Sequence, residues 1–238
     1  MVKQNSNGSL NTTIENKIAT LEFGHPASNS FPSDLLNRLT NELNNLSNNS
    51  SVSVIVLKSS GSGAFCAGAS FDELLAVSSL EEATKFFSGF ANVLNAMRNC
   101  SKIILGRIHG KAVGGGVGIA AACDYALATT ESAIKLSELA IGIGPFIIEP
   151  AISRKIGKSA MTEMTLEAEW KNAAWANQKG LYAKVFETKA ELDIEITALA
   201  SKLAKYNPEA LFEMKKVLWE GTENWETLLY ERAQISGK

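Results

Sequence analysis

Histidine, cysteine and proline are scarce in this chain: two, three and five of them in 238 residues. Cys66, Cys100 and Cys123 are odd in number and show neither metal nor redox spacing, which excludes a disulfide framework and a Cys-based metal site. His25 and His109 stand alone, so no metal-ligating group is expected. Charge of one sign is lacking too. Twenty-three Lys and Arg against 25 Asp and Glu leave a net charge of −2, with no electrostatic reason to expect nucleic acid. No apolar run approaches the ~20 residues that cross a bilayer, so no membrane association is expected. Met1 to Leu10 is polar and Asn/Ser-rich, without the apolar centre of a signal peptide. Free thiols and the absence of a leader point to a cytoplasmic protein.

What the chain does have is small and apolar residues: 18 Gly and 45% hydrophobic positions, enough for one globular domain with a large core. Residues 1–12 read as a disordered tail. Thr13 to Phe23 alternates as a single strand buried on one face, and His25 to Pro32 is a loop punctuated by two prolines. Ser33 or Asp34 caps a helix through about Leu46, with Leu35, Leu36, Leu39, Leu43 and Leu46 at helical spacing. Val52 to Lys58 is nearly continuously apolar, as in a parallel strand covered on both faces. A helical tract runs to Met97, and strands follow at Lys102–His109, Asp124–Thr129 and Ala133–Leu136. From Pro150 the chain reads as helical, with Pro208 opening a late helix from Glu209 to Trp219. The division is thus a core over 13–150 and a helical region over 151–238, in the α/β class.

Two runs of small residues carry the chemistry. Gly63-Ala64-Phe65-Cys66-Ala67-Gly68-Ala69-Ser70 and Gly110-Lys111-Ala112-Val113-Gly114-Gly115-Gly116-Val117-Gly118 each end an apolar strand and open a helix. Small residues there let a ligand approach the backbone, and the first helical turn offers unpaired N–H groups. Two facing junctions make a pair of donors suited to one oxygen on which negative charge develops.

With Ala64-Phe65-Cys66-Ala67-Gly68-Ala69-Ser70-Phe71, His109 to Gly116, Cys123-Asp124-Tyr125-Ala126, Leu136-Ser137-Glu138-Leu139, Ile141-Gly142-Ile143-Gly144-Pro145 and Arg154 to Ala160 in this order, the chain resembles the crotonase superfamily, the enoyl-CoA hydratase/isomerase family. The stretch from Trp175-Ala176 to Gly180-Leu181 matches as well, and the resemblance covers roughly residues 13 to 220. It implies a spiral of ββα units with a C-terminal helical trimerisation region, and a homotrimer or homohexamer. It implies acyl-CoA thioesters as substrates and no cofactor, coenzyme A being part of the substrate. The donors to the thioester oxygen would be the Ala69 and Gly115 N–H groups, and the catalytic carboxylate Glu138. Ala27, Ala67, Gly68, Ser70, Asp72 and Gly114 would contact the CoA moiety.

The hydratases of that family use two glutamates to position a water. The second matches Glu138; the first falls on Gly118, which has no side chain. A single glutamate resembles the Δ3,Δ2-enoyl-CoA isomerases, where one carboxylate takes a proton and returns it. A hydratase is the alternative if Glu149 or Asp72 replaces the missing carboxylate, and a non-catalytic acyl-CoA-binding member is a third reading. Lys215 and Lys216 read as a solvated helix face, His109 as a packed structural histidine, and the tryptophans as core or interface anchors.

Overall fold

The computed structural model describes residues 7–236. Six strands form the main sheet in the order β1 (Ser9–Glu15), β2 (Ile18–Gly24), β3 (Val54–Ser59), β4 (Ile103–Ile108), β6 (Tyr125–Thr129) and β8 (Lys184–Phe186), in which only β1 is antiparallel to its neighbour. The central strands β3 (Val54–Ser59), β4 (Ile103–Ile108) and β6 (Tyr125–Thr129) are parallel. The nearly continuous apolarity of β3 has the expected cause, because side chains alternate between two covered faces. Ile55, Leu57, Ile104 and Ile108 enter the larger core with the five leucines of α1 (Ser33–Asn48). Val54, Val56, Ile103 and Leu105 enter a second core, closed by Leu192, Ile196 and Ala200 of α7 (Lys189–Leu203).

The N-terminal expectation is corrected. Residues 9–12 belong to β1 (Ser9–Glu15), which pairs in hairpin fashion with β2 (Ile18–Gly24), so Thr13–Phe23 is two strands and not one. Asn16 and Lys17 turn the chain with φ of 51° and 67°, the backbone of a two-residue hairpin loop whose twist matches its strands. Residues 1–6 of the expected tail lie outside the described residues. Neither Ser33 nor Asp34 caps α1 through its side chain; Pro32 holds that position, and the Ser33 hydroxyl and N–H both donate to Glu73.

The boundary expected near residue 150 falls at the start of helix α5 (Glu149–Glu167), which bends at Gly157 (φ 76°). The strand β8 (Lys184–Phe186), missed in the sequence, extends the main sheet by pairing with β6, and α7 covers one of its faces. The expected solvated face of α8 (Pro208–Leu218) is also corrected. Lys215 is buried, paired with Asp124 at 3.0 Å, and donates to the carbonyls of Met97 and Lys102. Trp219 Nε1 donates to the other Asp124 oxygen at 2.6 Å, which pins α8 to the sheet. The last helix, α9 (Trp225–Ser236), lies along α3 (Leu80–Asn99). Among the described residues no helix is long and apolar enough to cross a membrane.

Candidate active site

The two small-residue runs meet. Beyond β4 the chain forms the short strand β5 (Ala112–Val113), which pairs with β7 (Ile134–Lys135) on one side. On the other side it bridges Cys66, whose carbonyl accepts from Val113 N at 2.9 Å. Loop 63–70, junction 110–116 and segment 133–138 thereby lie side by side. The approach is too close for side chains. A Cβ on Gly68 (φ +91°) would stand 2.9 Å from the Val113 carbonyl oxygen, and one on Gly114 (φ +52°) 2.7 Å from Glu138 Oε1.

At the resulting cleft each small-residue run leaves a backbone N–H unbonded. Phe31 N donates to Gly68 O and Ser70 N to Phe31 O, so strand alternation turns the Ala69 N–H away from Phe31. Gly114 N donates to Lys135 O and Val117 N to Gly114 O, leaving Gly115 at the first position of α4 (Gly115–Ala122). Neither the Ala69 nor the Gly115 N–H has an acceptor among the described residues, and both residues line one cavity with Glu138.

Glu138 opens a turn of 3-10 helix, Leu139–Ile141, which aims it at the junction glycines. Its Oε2 is buried without a hydrogen-bond partner. Burial pushes its pKa up from 4.5 to about 7, partly offset by the amides of Glu138 and Ser137. Apart from Ser137 and Ser236, the side chains of the rest of the wall are apolar, among them Leu74, Phe87, Phe90, Ile141, Ile143, Pro145, Ile147 and Ile148. Glu138 is thus a carboxylate poised near neutrality beside two free backbone donors, the combination that proton abstraction next to a carbonyl needs.

Gly118 lies on α4 behind Gly115. A Cβ there would meet Ile148 Cγ2 at 2.5 Å and Ile148 Cβ at 2.7 Å, so the isoleucine occupies the space of a side chain at 118. The two carboxylates considered as replacements do not line the cavity. Asp72 is exposed on the first turn of α2 (Phe71–Ala76). Glu149 faces outward, accepting from Ser153, Lys158 and Arg232. Its partial burial raises the pKa, but those three hydrogen bonds and the Arg232 charge outweigh it and hold the pKa at about 2.

Of the remaining expected contacts, Ala67, Gly68 and Gly114 line the cavity, whereas Ala27, Ser70 and Asp72 do not. Ser70 is buried and caps α2 by accepting from Glu73 N. Ala27 is exposed in a turn whose Ser28 carbonyl accepts from Ala67 N at 3.1 Å, which brings that turn against the loop. His109 is fully buried, neither ring nitrogen has a partner, and burial beside Arg107 lowers its pKa to about 4, so it is a neutral packed histidine. Burial pushes the Cys66 and Cys123 thiols up to about 12, which removes them as nucleophiles. No group of metal-ligating side chains occurs among the described residues. Ile148 and Ser236, both lining the cavity, were not legible in the sequence, because they arrive from segments remote from the two glycine runs.

Comparison with known proteins identifies the family. The family model for enoyl-CoA hydratase/isomerase matches residues 13–234. The peroxisomal Delta(3,5)-Delta(2,4)-dienoyl-CoA isomerase of Arabidopsis thaliana is 26% identical over 238 residues, covering 94% of this chain and 82% of that protein. The 2,3-dehydroadipyl-CoA hydratase of Escherichia coli K12 is 28% identical, with 88% and 81% covered. The crystal structure of an enoyl-CoA hydratase from Mycobacterium smegmatis superposes with a TM-score of 0.85 at 29% identity, over 94% of this chain and 87% of that one.

Proposed function

The chain belongs to the enoyl-CoA hydratase/isomerase family, with its crotonase-type α/β fold, and within that family we propose that it is a single-carboxylate Δ3,Δ2-enoyl-CoA isomerase. Enzymes of this family act on acyl-CoA thioesters, and a thioester oxygen held between the Ala69 and Gly115 N–H groups would receive the charge of an enolate. Glu138 takes a proton from C2 of a 3-enoyl thioester. The electron pair spreads over the former C3=C4 bond and the carbonyl, and the same carboxyl returns the proton to C4, leaving a C2=C3 double bond. Nothing is added or lost, so one base suffices. Each backbone donor contributes on the order of 10²–10³ in rate at such a site.

One observation supports this over water addition: among the described residues Glu138 is the only carboxylate lining the cavity. Ile148 takes up the space at Gly118, and Glu149 is engaged elsewhere. Apolar walls keep water scarce and keep the pKa of the carboxyl raised. Contacts of Ala27, Ala67, Gly68, Ser70, Asp72 and Gly114 with the CoA moiety, cytoplasmic placement and action without a cofactor belong to the same proposal. So does a trimeric or hexameric assembly, in keeping with exposed apolar side chains such as Leu166, Val217 and Leu218. The test is incubation with 3-enoyl-CoA and, separately, 2-enoyl-CoA, with products resolved by chromatography and mass. Isomerisation of the first without mass change is the expected result. A gain of one water by the second, with the first unchanged, would overturn it.

A further inference from the structure

The cavity around Glu138 is one-sided in charge. Of the described residues that line it, Glu138 alone is ionisable, and the acyl side of the wall is built from Leu74, Phe87, Phe90, Ile147 and Ile148. Two hydroxyls complete it, and one of them, Ser236 Oγ, donates to the Arg232 carbonyl at 3.1 Å. The cation one turn before Ser236 is committed elsewhere. Arg232 Nη1 donates to the Glu149 carboxylate and to the Phe146 carbonyl, on a face that opens to a separate groove. The described part of α9 therefore brings wall to the cavity but no free positive charge.

A substrate tail ending in a second carboxylate would meet three costs here. It would leave water for an apolar wall, find no cation among the described residues of that wall to pair with, and share a poorly solvated space with Glu138, whose ionised form repels it. An alkyl tail of the same shape meets none of these and gains by burial. Selection against the acid-ended tail thus comes from what the cavity withholds, a form of specificity that needs no added contact to the preferred ligand.

We propose that this site takes acyl-CoA thioesters with uncharged, apolar acyl tails and rejects those that carry a terminal carboxylate. The proposal rests on the reading of the Glu138 cavity as the acyl site, and it extends that reading to the substrate class. It does not depend on which reaction Glu138 performs.

The experiment uses two saturated thioesters of matched shape, 5-methylhexanoyl-CoA and glutaryl-CoA, which differ in an isopropyl against a carboxylate end. Their Kd values for the full-length protein, measured by calorimetry at pH 7.5, share the CoA contribution, so their ratio isolates the tail. The expected ratio favours the branched alkyl tail by at least ~100-fold. A ratio near one, at any absolute affinity, overturns the proposal. The expected ratio together with no turnover of 3-enoyl-CoA would leave the substrate class standing and remove the isomerase reading, so the two failures are told apart.

Discussion

A Cβ added to Gly118 would come within 2.5 Å of Ile148 Cγ2, so the two residues share the space of one side chain. That relationship links the reaction to packing. The helix that presents Gly115 to the cavity cannot also present a carboxylate three residues later unless the isoleucine yields.

Gly118→Ala is therefore expected to destabilise the fold by roughly 1–3 kcal/mol through overpacking. Ile148→Ala alone opens a void at roughly 2–5 kcal/mol. The double variant should be less unstable than the sum of the two, since each change makes room for the other. Denaturant titration of the four proteins in the cycle checks this, and strict additivity would contradict the shared space.

Glu138 should show its environment in the pH dependence. A base with a pKa near 7 makes kcat/KM rise through about pH 7 and level off above it. Glu138→Gln should lower turnover by on the order of 10²–10⁴ while leaving acyl-CoA binding intact. A flat profile between pH 5.5 and 8.5 would remove Glu138 as the base.

The same group carries a stability signature. Its carboxyl rises from 4.5 to about 7 on folding, so between those values the folded state holds the proton that the unfolded state has released. Stability from this residue falls as pH rises through 4.5–7, and the full penalty is present above 7. It amounts to about 3 kcal/mol as an upper bound. Glu138→Gln should be more stable than the parent at pH 8, with the difference vanishing below pH 4.5. Thermal unfolding at both pH values reads this directly.

Glu149 supplies the contrast. Because it engages Lys158 and Arg232 outside the cavity, Glu149→Gln should leave kcat within about threefold. Stability should drop by roughly 1–2 kcal/mol, the order expected for losing charged hydrogen bonds. A loss of kcat comparable to that of Glu138→Gln would return Glu149 to the reaction.

Cys66 is expected to act through position. Its buried Sγ accepts from Gly68 N at 3.3 Å, one peptide before the Ala69 N–H. Cys66→Ala leaves that N–H without its acceptor and loosens the donor loop, so kcat should fall by about tenfold with KM little changed. Cys66→Ser, which keeps an acceptor, should recover most of it. Equal loss in both variants would mean that the thiol matters for its volume alone.

Much of this was legible in the residues themselves. Strand β3 announced itself by its nearly continuous apolarity, α1 by its five leucines, and the donor pair by two small-residue runs at strand-to-helix junctions. Glu138 followed from the resemblance. The hairpin at Asn16-Lys17 was missed because the alternation runs on through the turn with no glycine to mark it. Strand β8 was missed because its three residues are too few for a period and form only against β6. Lys215 was misread because helical spacing places a lysine on a face without saying which buried aspartate that face will meet.

By itself the sequence determined most of the elements, the glycine junctions, the absence of a glutamate at 118 and the presence of one at 138, since these depend on local sterics and on residue identity. Only the tertiary structure decided that Ile148 takes up the space beside Gly118, that Glu149 turns outward to Arg232, and that Ser236 returns to the cavity of its own chain. Each of these pairs segments far apart in sequence, and the physical reason is the same throughout. Local propensity sets how a segment folds, but which side chain fills a given volume or meets a given charge is settled when the segments pack to interior density.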